Sequence, residues 1–282
     1  MIALTFARLT LQEASRRRVL WALGFLTLLL LALSAWGFAK LAAVATDGAG
    51  LTSGETRLAA SQVLNLVMFF LSLVAALGTA FLAGPTLAGE IESGTSLSLL
   101  ARPVRRPAVL LGKWLGLVTF GSLFVAVAGL AEFVVVRVTV GYWPPDPVVG
   151  LVLLAAQTVV LLTLALLLST AVSPMASGVL AVGLFGTAWV AGVVGGVGDA
   201  LGNDGVSRVG TVSRVLLPTD GLWRGAMHAF QDPSALTRLG PGAEGFPFLS
   251  DVTPSGLYLV WIGVWLLMVG GLAALSFSRR DV

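Results

Sequence analysis

Few residues in this chain have the types and spacing that chemistry needs, and those few point away from catalysis. A P-loop that hydrolyses ATP needs Gly-x-x-x-x-Gly-Lys followed by Ser or Thr. The nearest approach, Gly112, Lys113 and Trp114, lacks both the upstream glycine and the hydroxyl that holds magnesium. His228 is the only histidine, so no multi-histidine metal centre can form. With no cysteine there is no thiolate ligand, disulfide or thiol nucleophile. Glu132 is the one carboxylate set clearly inside an apolar run, where a charge costs at least ~2.5 kcal/mol. It is expected to snorkel to the nearer surface and pair with Arg137. The densest polar constellation is an island over residues 90–107. It carries Glu90, Glu92, Gly94, Thr95, Arg102, Arg105 and Arg106 between two apolar runs. A charged segment punctuated by glycine and proline cannot sit in hydrocarbon, so it must face water and meet something there.

The elements that position this island follow from composition. The chain is 57% hydrophobic and 11% charged, whereas soluble domains carry about 25% charged residues. The charges are clumped, and the runs between them are long enough to cross a bilayer. In lipid the backbone must satisfy its own hydrogen bonds, and runs this long without alternating polarity are helices rather than barrel strands. The fold class is therefore an all-α integral membrane protein. Six spans are expected, at 19–39, 63–89, 108–136, 148–172, 176–198 and 256–277. Ten basic residues flank span ends on one side, against three in short loops on the other. The positive-inside rule then puts both termini and the island in the cytoplasm. The first apolar run is too long for a cleaved signal peptide and reads as a retained span. Residues 1–18 have an apolar face at Ile2, Phe6 and Leu9, opposite Arg8, Gln12, Ser15 and Arg16, and are expected to lie along the inner interface. The pI near 9.9 follows from the cytoplasmic arginines facing anionic lipid, and no nucleic-acid partner is implied.

Two polar segments are organised further. In the island, Thr95 can cap a short helix carrying Leu97, Leu100 and Ala101 on one face, and Arg102 before Pro103 ends it. A plain loop anchored by its arginines is the alternative. In the long segment 199–255, Val209, Val212 and Leu216 oppose Arg208, Thr211 and Arg214, as in an amphipathic helix lying at the outer surface. Thr219 or Asp220 can cap a second helix, with Trp223, Met227 and Phe230 on one side and Arg224 and His228 on the other. Together these would form an extracellular lid, or a loop hugging the interface. On the fifth span Ala188, Gly192, Gly196 and Ala200 recur every four residues, a stripe that allows close helix approach between two subunits or within one.

Glu90 to Lys113 resembles the signature of ABC-2 type permeases, the membrane subunits of ABC exporters: an acidic pair, Gly-Thr, a leucine-rich stretch, Arg-Pro, then a basic residue and Gly-Lys. Residues 217–225 and 275–281 resemble the segment before the last span and the cytoplasmic terminus of the same family, so the likeness covers the whole chain. The resemblance implies a single-domain permease in a prokaryotic plasma membrane, with no cofactor of its own. ATP and magnesium would sit in a separate ABC ATPase, present in two copies beside a second permease subunit. It makes Glu90, Glu92, Gly94, Thr95, Leu99, Leu100 and Arg102 a coupling helix docked on the ATPase, and it places the first and fifth spans at the permease–permease interface. The rival functions are a secondary carrier or channel, and a subunit that relays ATPase motion to an outer partner without moving a solute.

Overall fold

The computed structural model describes residues 7–10, 18–46, 52–92, 106–234, 247–251 and 253–279. The long helices among the described residues are, in chain order, α1 (Arg18–Thr46), α2 (Ser53–Glu92), α3 (Arg106–Val140), α4 (Pro147–Ser169), α5 (Pro174–Ala200), α6 (Asp204–Leu216), α7 (Thr219–Phe230) and α8 (Gly256–Arg279). No strand occurs among the described residues. Six of these helices, α1 to α5 and α8, are long and apolar enough to cross a membrane, and the chain is a multi-pass membrane protein.

Local chemistry sets where each helix starts. Thr52 and Glu55 form a reciprocal cap: Thr52 N and Oγ1 donate to Glu55 Oε2 at 2.7 and 2.8 Å, and Glu55 N donates back to Thr52 Oγ1 at 3.3 Å. That capping box starts α2 ten residues before the apolar run expected from 63, because its polar first turns need not lie in lipid. At its far end α2 continues through Glu92. Glu90 and Glu92, expected to open the island, are thus backbone residues of its last turn. Pro147 and Pro174 sit in the first turns of α4 and α5, where a missing N–H costs nothing. Asn203 caps α6 through Oδ1, which accepts from Gly205 N and Val206 N at 3.1 and 3.2 Å.

The interior helices are α2 and α4, whose most apolar stretches are largely buried, whereas that of α1 is largely exposed. Around them lies a core of Leu64, Met68, Leu71, Phe133, Leu154 and Val160. Of the proposed interfacial helix only residues 7–10 are described. They form a helical turn packed so closely on α3 that a Cβ at Gly116 would lie 2.8 Å from Ala7 O. The bundle therefore has an island side, where α2 ends and α3 begins, and an opposite side that carries α6 and α7.

Candidate functional site

Among the described residues, a cluster of buried polar groups lies on that opposite side. After α5 ends at Ala200, α6 turns back and runs antiparallel along it. A Cβ at Gly195 would lie 2.6 Å from Gly210 Cα, and Ser213 Oγ donates to Ala188 O at 3.5 Å. Ala188 sits twelve residues below the end of α5, so the α6 tip descends about 18 Å beside it. The chain turns at Pro218, and α7 climbs back to set Phe230 against Gly150 in the first turn of α4. Residues 204–230 are therefore a re-entrant hairpin, rather than a lid or a loop lying on the surface. The segment re-enters because its glycines leave room for backbone-to-backbone contact with α5.

A helix that ends among spans leaves its last carbonyls without partners. Here α8 supplies them from one face. Tyr258 Oη donates to Arg214 O and Pro218 O, both at 3.3 Å. Trp261 Nε1 donates to Val215 O at 3.1 Å, and Trp265 Nε1 donates to Leu216 O at 2.8 Å. The spacing 258, 261, 265 was visible in the sequence, but aromatic residues near a span end read equally well as an interfacial belt.

Charge holds the two arms together. Asp220, 3% exposed, accepts from Arg214 Nε at 3.2 Å and Arg224 Nε at 3.1 Å, while Arg224 Nη2 donates to Gly192 O at 2.6 Å. Two guanidiniums on one carboxylate satisfy a charge that would be untenable alone. Asp220 is not the cap of α7: Pro218 occupies that position and no side chain caps the helix. Trp223, Met227 and Phe230 are buried, as their shared face requires. The apolar face of α6 is not: Val209, Val212 and Leu216 remain open.

Beyond the hairpin the bundle is closed by a plate of aromatic and amide groups. Phe69 of α2 packs on Trp189, Trp223 and Phe248 with ring centroids 4.7, 5.5 and 5.6 Å away. Asn65 Nδ2 donates to Phe248 O at 3.1 Å. Gln231 and Ser250 bond reciprocally, and His228 Nδ1 lies 3.1 Å from Ser250 O. Arg57 pairs with Asp232 at 3.4 Å. Tyr142 Oη donates to Phe230 O at 2.7 Å, and burial pushes its phenol above the ordinary range.

Two sequence expectations need correction. Glu132 does not snorkel to Arg137. It is buried, with Ser34 Oγ of α1 donating to its Oε1, while the exposed Arg137 donates to Gly141 O at 3.3 Å. The small-residue stripe faces inward: Gly192 abuts Asp220, Gly196 abuts Arg224, and Ala188 accepts from Ser213. Only Ala200, at the end of α5, is exposed. The stripe thus seats the chain's own hairpin instead of a second subunit. Among the island residues, Glu90 and Glu92 close α2; Gly94, Thr95, Leu99, Leu100 and Arg102 lie outside the described residues.

A family model described as ABC-2 family transporter protein matches residues 4–282. The chain is 35% identical over 146 residues to the probable ABC transporter permease protein NosY of Pseudomonas aeruginosa, covering 49% of this chain and 50% of the relative. It is 36% identical over 135 residues to the protein of the same description from Stutzerimonas stutzeri, covering 45% of each. The chain thus spans about half the length of the curated relatives it matches. With six spanning helices and a family match along nearly all its length, this chain belongs to the ABC-2 family of transporter proteins.

Proposed function

We propose that the chain is the permease subunit of an ATP-driven ABC-2 exporter, forming the substrate path and drawing its energy from a separate ATPase subunit in the cytoplasm. Family membership and the missing P-loop support this division of labour. The observation that carries it is α2, a continuous helix of 40 residues, about 60 Å long. One end meets the polar island; further along, Asn65 and Phe69 hold the aromatic plate. A push on the island, delivered when two ATPase subunits close on ATP, is passed along α2 to its middle turns. It shifts Phe69 away from Trp189, Trp223 and Phe248, and the outer seal opens. Two permeases and two ATPases make up the working assembly, both termini are cytoplasmic, and the membrane is a prokaryotic plasma membrane.

The test is reconstitution. The isolated chain hydrolyses no ATP, and it co-purifies with a soluble ATPase whose activity then supports transport. ATP hydrolysis by the isolated chain, or full transport without an ATPase, would overturn the reading.

A further inference from the structure

The open apolar face of α6 is half of a groove. Leu184, Ala188 and Ala191 of α5 form one wall; Val209, Val212 and Leu216 of α6 form the other, enclosing about 530 Å³. Arg208 lines the groove near its upper end, one turn past Asp204 on the same helix. Asp204 and Arg208 are exposed and stand at pairing distance along the helix, yet they bond neither to each other nor to any other described residue. Of the nearby charged side chains, Asp199 accepts from the Ser207 hydroxyl and Arg214 holds Asp220. From Arg208 to Leu216 the groove descends eight residues of helix, about 12 Å. A free cation and a free anion at the level of the helix ends, above an apolar channel that dips beside a span, match one kind of molecule.

We propose that the groove binds a phospholipid with a phosphate–ammonium head, of the phosphatidylethanolamine type, from the leaflet on the hairpin side. The phosphate sits on Arg208 as a charge-assisted contact. The ammonium meets Asp204, and one acyl chain runs down past Val209 and Val212 to Leu216. Charge complementarity decides the occupant: a purely anionic head would leave Asp204 facing a second negative charge, and an uncharged tail alone would leave Arg208 without a partner. The groove is open in the single chain, and a second permease seated on α5 would compete with the lipid for it.

The experiment uses the whole chain reconstituted in vesicles with a phosphatidylethanolamine bearing a photoactivatable group midway along one acyl chain. After illumination the labelled peptides are mapped by mass spectrometry. Labelling is expected to concentrate on 184–191 and 209–216, and unlabelled phosphatidylethanolamine should compete better than phosphatidylglycerol. Arg208→Gln is expected to lower labelling about fivefold, as fits one basic residue at a membrane surface; Asp204→Asn should abolish the preference over phosphatidylglycerol. Val212→Trp, on an exposed position that tolerates bulk without disturbing the fold, should exclude the chain from the groove. Uniform labelling of all six spans, equal competition by the two lipids, or unchanged labelling in Arg208→Gln would overturn the proposal. So would a rapid disulfide between two copies carrying Val212→Cys together with no lipid label, since a second copy would then fill the groove.

Discussion

At the residue scale the hairpin is held by a few groups whose removal should be measurable. Asp220→Asn leaves two guanidiniums sharing a neutral amide in a site that excludes water. Breaking a buried pair in this way costs about 3 kcal/mol or more. The expected result is a lower thermal midpoint in detergent, followed through tryptophan fluorescence, together with easier proteolysis within 204–230. Asp220→Glu should recover only part of the loss. Trp265→Phe keeps the ring but strands the Leu216 carbonyl, an expected cost of about 1–3 kcal/mol, whereas the exposed Trp21→Phe should change nothing. Tyr142 provides a pH signature. Burial raises its folded pKa above the unfolded value, near 10 for a free phenol. The stability it contributes is therefore complete below pH 10 and lost as pH rises beyond it. A thermal midpoint that falls more steeply above pH 10 in the parent than in Tyr142→Phe would bear this out.

At the scale of elements, the glycines of α5 decide whether α6 can re-enter. Gly195 faces Gly210 backbone and Gly198 faces Ser207 backbone, neither of which can yield as a flexible side-chain tip can. Gly195→Val should therefore dislodge the hairpin while leaving the six spans inserted. Its readout is a single cysteine at Leu217, in a chain with no cysteine of its own: protected from a water-soluble thiol reagent in the parent and reactive in the variant. Protection in both would mean that the glycines do not seat the hairpin. The same physics explains why the stripe could not be assigned from sequence. Small residues every four positions announce a close approach, but the partner, a neighbouring subunit or an arm of the same chain, is settled by contacts distant in sequence.

At the scale of the whole molecule, the exporter reading makes the island and the plate two points on one lever. Leu100→Asp should leave assembly and ATP hydrolysis in place but lower transport per ATP sharply, while Arg106→Lys, which keeps the anchoring charge, should not. If Leu100→Asp transports at the parental ratio, the island is a membrane anchor and not a coupling helix. Topology has its own check. A cysteine at Ser98 should react only from the cytoplasm and one at Gly242 only from outside; reaction of both from the same side would refute the arrangement of spans.

The sequence alone determined the class of this protein, because hydrophobicity accumulates along consecutive residues: runs such as those in α4 and α8 must be spanning helices wherever their neighbours lie. It also held the family signature, which is a local pattern. Tertiary structure alone decided the direction in which polar groups point. Glu132 turned inward to Ser34, ninety-eight residues away. Asp220, one of two candidate caps, instead accepts from Arg214 and Arg224, and the carbonyls of α6 found donors on α8, more than forty residues away. A buried polar group takes whatever partner the packed bundle brings within about 3 Å, and that partner is a property of helix arrangement that no local pattern carries.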